Sequence, residues 1–460
     1  SEIFGVGTVF LNLDDSKADQ ARTALNNAIE GEGLSVAGWR KMPVNLDILG
    51  PIAKETLPQF EQVFVNCPAD LIEEDFNRKL FTARRRAEIK LTGDDRFYVT
   101  TLASNVISYK GLMMPEDLAK FYTDLANPEL KSHIVVFHQR FSTNTLPNWQ
   151  LAQPFRYLAH NGEINTITGN RNWSKARTPK FTTDKLPELQ ELTPLVNTTG
   201  SDSSSLDNML EVLVSGGMDI FRALMMMIPP AWQNVETMDS DLRAFFEFNS
   251  KHMEAWDGPA GIVVQNGRHA VCMLDRNGLR PSRWVKTTNG YITVASEVGT
   301  WNYVPEDVVA KGRVGPGQML VIDTHTGEIL DTQAVAERMK NAHPYRKWLK
   351  ENALRLRSKE AQEEMAVENA VVGSDLLPHQ KMFLVTREER SEIIRPMAEN
   401  GAESVGSMGD DTPMAVLSSQ KRVLTDYFRQ QFAQVTNPPI DSIRERSVMS
   451  LKTTIGFPFD

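Results

Sequence analysis

The sequence predicts an α+β layered fold, and two observations carry that prediction. Strand-like stretches fall in neighbouring pairs joined by the hairpin turn dipeptides Asn266-Gly267 and Asn289-Gly290. Helical periodicity lies before and after those pairs, a pattern unlike the alternation of single strands and helices in a doubly wound parallel sheet.

Taken in order, Val6–Leu11 reads as an apolar strand, and Ser16–Glu30 has alanine and leucine at helical spacing. Leu34–Trp39 and Glu61–Val65 read as strands, and 69–91 as a helix. Phe97–Leu102, Val106–Tyr109 and Ile134–Arg140 are expected strands. From His138 to Asn208 the chain is dense in Asn, Thr, Ser and Gly, residues that bend the backbone and hydrogen-bond, so loops carrying a site are expected there. Residues 203–254 read as mainly helical. Strands resume at Gly261–Val264, His269–Leu274, Ser282–Lys286, Tyr291–Ala295 and Gln318–Ile322, followed by long charged helices over 332–369. Residues 360–380 lack periodicity and suit a linker, with a helix at 387–399 and a strand at Met414–Leu417 beyond.

The 460 residues suffice for two or three domains. A net charge of −9 argues against a nucleic-acid partner, and the basic run Arg84–Arg86 fits a salt-bridged helix face. Two cysteines, Cys67 and Cys272, cannot build a disulfide framework or a cysteine-ligated cluster. No apolar run approaches the roughly 20 residues that span a bilayer, so no membrane role and a cytoplasmic location are expected.

Common motifs fail. Gly5-Val6-Gly7 lacks the third glycine of a dinucleotide fingerprint, and neither a P-loop, HExxH nor GxSxG occurs. His138 and His160 have no acidic or cysteine partner at ligand spacing, so no metal is expected. What remains is a constellation. Phe137-His138-Gln139-Arg140-Phe141-Ser142-Thr143-Asn144-Thr145 sets an arginine, whose planar fork binds carboxylates, among hydroxyl and amide side chains. Ala159-His160-Asn161-Gly162-Glu163 places an Asn-Gly pair in a turn, and an amide beside a glycine N–H is an oxyanion donor pair. Gly200-Ser201-Asp202-Ser203 presents an aspartate before a helix, where it could hold an ammonium. Singly, these are also an ordinary turn and an ordinary N-cap. Together they describe a site for an amino-acid amide.

The segments 138–145 and 160–166 resemble the paired signatures of the class-II, N-terminal-nucleophile glutamine amidotransferases. Leu151-Ala152-Gln153-Pro154-Phe155-Arg156, Trp256-Asp257-Gly258-Pro259-Ala260, Asp275-Arg276-Asn277-Gly278-Leu279-Arg280-Pro281 and Lys311–Gly317 are similar to the glutamate synthase branch in particular. So are Gly406–Pro413 and Gln434–Asp441. The resemblance implies a four-layer αββα amidotransferase sandwich over 1–355, N-terminally incomplete. It implies a linker at 356–385 and the start of an α/β central domain at 386–460.

It further implies that Arg140 binds the α-carboxylate of glutamine and Asp202 its α-ammonium. Asn161 and Gly162 would form the oxyanion hole, with His138, Thr143 and Glu163 lining the substrate site. Released ammonia would then convert 2-oxoglutarate to glutamate in a synthase domain of the same large subunit. The complete enzyme would use FMN, a [3Fe-4S] cluster and NADPH through a small NADPH-oxidising subunit, and would be oligomeric. No cofactor site is expected within these residues, and NADH or ferredoxin remains open as the electron donor.

One part of the family pattern is missing. Family members begin Cys-Gly, whose thiol attacks the amide while the α-amine serves as base. Here Ser1-Glu2-Ile3-Phe4 stands first, and the stretch through Gly38-Trp39-Arg40 resembles a later part of the domain. Cys67 reads as a structural thiol, and Glu2-Ile3 do not support Ser1 as a substitute nucleophile. The chain alone is therefore expected not to hydrolyse glutamine. A catalytically dead glutamine-binding or scaffold module is the alternative.

Overall fold

A computed structural model describes residues 3–141, 146–353, 373–401, 404, 407–410, 413–429, 432–435 and 441–448. The described residues up to Lys350 form one compact unit, and those from Glu351 a second.

The first unit opens with β1 (Phe4–Leu11), α1 (Asp15–Gly31), β2 (Ser35–Lys41), α2 (Pro51–Glu55), β3 (Gln59–Asn66), α3 (Glu73–Lys90) and β4 (Tyr98–Ala103). The four strands form one antiparallel sheet in the order β2-β3-β1-β4, a split βαβ arrangement. Period-two alternation decides which side each helix takes. Val9, Leu11, Val63, Val65 and Val99 point to one face, against Ala18, Ala21, Leu25 and Ile29 of α1 and Phe76, Leu80 and Ala83 of α3. Helix α1 starts where the Asp14 carboxylate accepts the Lys17 N–H at 3.0 Å. Phe10 and Phe60 point the other way, into an aromatic cluster with Phe121, Tyr122 and Trp149. Phe121 ends the short helix α4 (Leu118–Phe121).

The remainder of the unit comprises β5 (Leu158–Gly162), α5 (Ile167–Arg177), α6 (Asp202–Ser215), α7 (Ile220–Met227), α8 (Ser240–Asn249), β6 (Ala260–Gln265) and β7 (His269–Leu274). β8 (Arg283–Thr287), β9 (Ile292–Ala295), β10 (Val308–Arg313), β11 (Met319–Asp323), β12 (Ile329–Leu330), α9 (Thr332–Lys340) and α10 (Tyr345–Asn352) complete it. A five-stranded antiparallel sheet runs β12-β11-β7-β6-β5, which leaves β5 on the edge. Ile262, Val264, Val271, Met273, Met319 and Val321 bury one face against α6, α7, α8 and α9. Cys272 and Leu274, on the opposite face, pack with Val314 and with Trp284 and Val294 of the three-stranded sheet β10-β8-β9. All these ladders are antiparallel, as the α+β expectation requires.

A buried ionic cluster joins α3, β4, α6 and the entry to β5. Arg84 on α3 reaches Glu88 at 2.8 Å and Glu211 on α6 at 2.5 Å, and Arg156 reaches Glu88 at 2.9 Å and the Val99 carbonyl at 2.7 Å. Burial alone would raise the Glu88 carboxyl, but Arg84, Arg156 and Arg85 bring it down to about 2. The basic run Arg84–Arg86 is thus a set of ion pairs, as its helical spacing suggests.

Several expected elements differ. Val106–Tyr109 is not a strand, because local side-chain bonds such as Ser108 N–H to Thr101 Oγ1 (3.3 Å) replace a ladder. Ile134–Arg140 is not a strand either. It joins no ladder among the described residues, and Val135 and Phe137 face solvent. Among the described residues the helices of 332–369 are two short ones, α9 and α10, separated where His343-Pro344 interrupts the periodicity. β10, absent from the expectation, pairs with β8.

In the second unit, Leu376–Met382 is helical, inside the stretch expected as linker. The helix expected at 387–399 is present, with a π-helical turn at Glu389–Ile394 before Arg395–Asn400. Ser407–Asp410 pairs with Phe432–Val435 as an antiparallel hairpin. Met414–Leu417 is not a strand. Its last three residues form a 3-10 turn just after Pro413.

Candidate functional site

Asn161 and Gly162 end strand β5; they are not in a turn, contrary to the expectation. The ladder to β6 sets Asn161 opposite Gly261 and Gly162 opposite Ala260. The chain passes so close here that two glycines are obligatory. A Cβ on Gly162 (φ +148°) would lie 1.8 Å from the Pro259 carbonyl oxygen, and one on Gly258 (φ +153°) 1.9 Å from that of Glu163. Glu163 N–H donates to the Pro259 carbonyl at 2.9 Å.

The loop facing Gly162 is braced by motifs singled out above only for their resemblance. Arg276 pairs with Asp257, whose N–H donates to Thr166 Oγ1 at 2.9 Å. The Asp275 carboxylate accepts the N–H groups of Ala260 (3.0 Å), Asn277 (2.9 Å) and Leu279 (3.3 Å). Aspartates accepting several backbone N–H groups in a Gly-containing loop are the signal by which the sequence could have marked them.

Asp202 is the first residue of α6, and the cap is Ser201, whose hydroxyl accepts the Ser204 N–H at 3.1 Å. The Asp202 carboxylate is therefore free to turn toward β5, where Oδ2 accepts the Ile164 N–H at 2.8 Å. The loop before α6 is fixed by Arg171 of α5, which donates to the Gly200 carbonyl at 2.6 Å and to Ser205 Oγ at 3.0 Å.

His160 is buried, with Nδ1 2.9 Å from Ser203 Oγ and 3.9 Å from Asp202 Oδ2. Burial pushes its pKa down to about 4, against the pull of Asp202, so the ring is neutral at ordinary pH. Neither His160 nor Ser203 was singled out as a partner of Asp202 from the sequence.

His138 is half-buried, with the His160 and Arg140 backbones beside its ring, and desolvation lowers its pKa. Arg140 is exposed and holds φ +85°, uncommon for a residue with a side chain. Glu163 is half-buried next to Gly162. Thr143 lies outside the described residues. The structure thus gathers His138, His160, Asn161, Gly162, Glu163 and Asp202 at one end of β5, with Arg140 two residues beyond His138.

Neither cysteine joins them. Cys272 is buried on β7, and burial pushes its thiol up to about 11. Cys67 follows β3, and burial with Glu73 and Asp70 nearby raises its pKa. It lines a groove of about 850 Å³ with Ile3, Phe4 and Trp39, none of them a residue of the β5 site. Among the described residues no group of three or more His, Cys, Asp and Glu side chains could hold a metal, and no described helix is long and apolar enough to cross a membrane.

The family "Glutamine amidotransferases class-II" matches residues 1–348, and "Glutamate synthase central domain" matches residues 378–458. The chain is 42% identical over 459 residues to "Glutamate synthase [NADPH] large chain" of Bacillus subtilis, covering 99% of this chain and 30% of that one. It is 40% identical to "Ferredoxin-dependent glutamate synthase, chloroplastic" of Oryza sativa, covering 98% of this chain and 28% of that one. It is also 40% identical to "Glutamate synthase [NADPH] large chain" of Azospirillum brasilense, with 98% and 30% covered. The chain therefore spans about 30% of the length of these relatives.

Proposed function

The chain belongs to the class-II glutamine amidotransferases, and we propose that it is the glutamine-hydrolysing part of a glutamate synthase large subunit. The observation that carries the proposal is the end of β5, where Asn161 and Gly162 lie beside Asp202 on α6. Glutamine needs three things at once: a donor pair for its amide oxygen, an anion for its ammonium and a cation for its carboxylate.

In the proposed reaction a thiolate attacks the side-chain carbonyl carbon, and the electron pair moves to oxygen. The Asn161 side-chain amide and the Gly162 N–H stabilise that oxyanion, where charge grows most. Donors fixed in place need no reorganisation as the charge develops, and the glycine-crowded crossing of Gly162 and Gly258 fixes them. Asp202 Oδ1, which accepts the Ser203 hydroxyl at 3.4 Å, has a further lone pair for the α-ammonium while Oδ2 holds the Ile164 N–H. Arg140 takes the α-carboxylate through its planar guanidinium. His138 and Glu163 line the site, and Thr143 is assigned with them. The nucleophile is assigned to neither Cys67 nor Cys272, since burial raises both thiols instead of activating them.

Collapse of the thiolate adduct, with a proton delivered to the amide nitrogen, expels ammonia and leaves a thioester that water then hydrolyses to glutamate and free thiol. The ammonia is proposed to reach a synthase domain that turns 2-oxoglutarate into glutamate. Two cysteines in 460 residues cannot ligate an iron–sulfur cluster, so the cluster is assigned to the rest of the enzyme, and the flavin and the NADPH- or ferredoxin-derived electrons are proposed to belong there with it. We assign 1–355 to the amidotransferase domain, 356–385 to the linker and 386–460 to the start of the central domain, in a cytoplasmic, oligomeric enzyme with a small electron-delivering subunit. The test is isotopic. With amide-15N glutamine and 2-oxoglutarate, the full-length enzyme should place 15N in the amino group of new glutamate. Unlabelled product would refute the proposal.

A further inference from the structure

Among the described strands β5 is the edge of its sheet, and its outward backbone groups need partners from outside the ladder. Hydrogen bonds show which groups face outward. The Tyr157 carbonyl accepts the Gln265 N–H at 2.9 Å and the Glu163 N–H donates to Pro259, so odd-numbered residues face β6. Even-numbered residues face the open side. There the Leu158 carbonyl accepts the Phe155 N–H at 2.9 Å, and the Leu158 N–H donates to Asp207 Oδ1 at 3.2 Å. Next along the edge is His160, and Gln153 meets both of its backbone groups. Gln153 Oε1 accepts the His160 N–H at 2.7 Å, and Nε2 donates to the His160 carbonyl at 3.1 Å. A single side-chain amide thus supplies the paired donor and acceptor that a neighbouring strand would offer. Continuing the alternation by two residues brings the Gly162 N–H to the same open side.

We propose that Gln153 is a positioning residue for the amidotransferase reaction, holding the β5 edge so that the Gly162 N–H and the Asn161 amide converge on the oxyanion. The proposal rests on the glutamine-hydrolysing role proposed above. Its logic is geometric. Asp207 and Gln153 occupy the edge at residues 158 and 160, and among the described residues nothing accepts the Gly162 N–H, which is left to donate to a substrate. Without the Gln153 amide the open edge at residue 160 loses its paired donor and acceptor, and the strand end is held by the β6 ladder on one side and by the His160–Ser203 contact. Donor placement then loosens, although no group that touches glutamine has been removed.

Gln153→Met, nearly isosteric and without either hydrogen bond, tests this in the full-length enzyme. The expected result is a fall of about tenfold in glutamine kcat with KM changed by less than about threefold. Amide exchange should accelerate across residues 158–163 and stay unchanged elsewhere. An unchanged kcat overturns the proposal, as does a loss of protection throughout the molecule, which would make Gln153 merely structural. Asn161→Ala, measured in parallel, separates the two levels. If it slows turnover while Gln153→Met does not, only the positioning role falls. If neither variant slows turnover, the oxyanion assignment falls and this proposal with it.

Discussion

The His160 ring stands 2.9 Å from the Ser203 hydroxyl, and this contact ties the strand bearing Asn161 to the first turn of the helix bearing Asp202. The two elements approach from different parts of the chain, 43 residues apart. A bond between a buried ring and a buried hydroxyl fixes their relative placement more firmly than an exposed one, because no water competes for it.

His160 should titrate near pH 4 in the folded protein. Its folded pKa lies below the ordinary 6.5, so its contribution to stability is present above pH 6.5 and is lost as pH falls through about 4. Histidine NMR on the folded protein checks this. Asp202→Asn should lower the midpoint further, because it removes the carboxylate that favours the charged ring. A midpoint near 6.5 in the native protein contradicts the burial account.

Gly162→Ala should abolish glutamine turnover. Its methyl group would lie 1.8 Å from the Pro259 oxygen, so β5 must separate from the loop that faces it. Activity within about tenfold of wild type would show that the crossing can relax at little cost.

Arg140→Ala and Asp202→Asn should raise KM for glutamine strongly, each by removing one charge that binds the substrate's α-substituents. Glutamine saturation curves of the full-length enzyme read this directly. Unchanged KM in either variant removes that residue from the site.

Arg84→Met should destabilise the first unit by about 3–5 kcal/mol, since it leaves Glu211 and Glu88 short of a buried partner. Denaturant unfolding measures it. A loss below about 1 kcal/mol would mean that Arg156 alone balances the cluster.

How much of this was legible in the sequence depended on whether a signal was local. Strand alternation at Val6–Leu11 and the Asn-Gly turn at 266–267 are local, and the ladders of β1 and of β6 with β7 follow them. The strand expected at Ile134–Arg140 carries the same apolar signal, but no described partner completes a ladder. Period-two hydropathy can show what a strand would bury and cannot show that a neighbour exists. The Asn161-Gly162 pair was misplaced for a related reason. Asn-Gly is ordinarily a turn, and only the close approach of Pro259, some hundred residues away, makes Gly162 the end of a strand instead. Arg140, Asp202 and the Asn-Gly pair could be marked by residue type. Asp207 and Ser203 could not, because each acts on a group 49 or 43 residues away; nor could Gln153, whose amide gains its role only where the chain folds the His160 backbone beside it.

Glutamine turnover by the full-length enzyme carrying Asn161→Ala tests the central claim most directly. An oxyanion donor acts in the transition state, so kcat should fall by about 10²–10³ while KM stays near its wild-type value. A near-normal kcat would remove Asn161 from the site and contradict the assignment of glutamine hydrolysis to the end of β5.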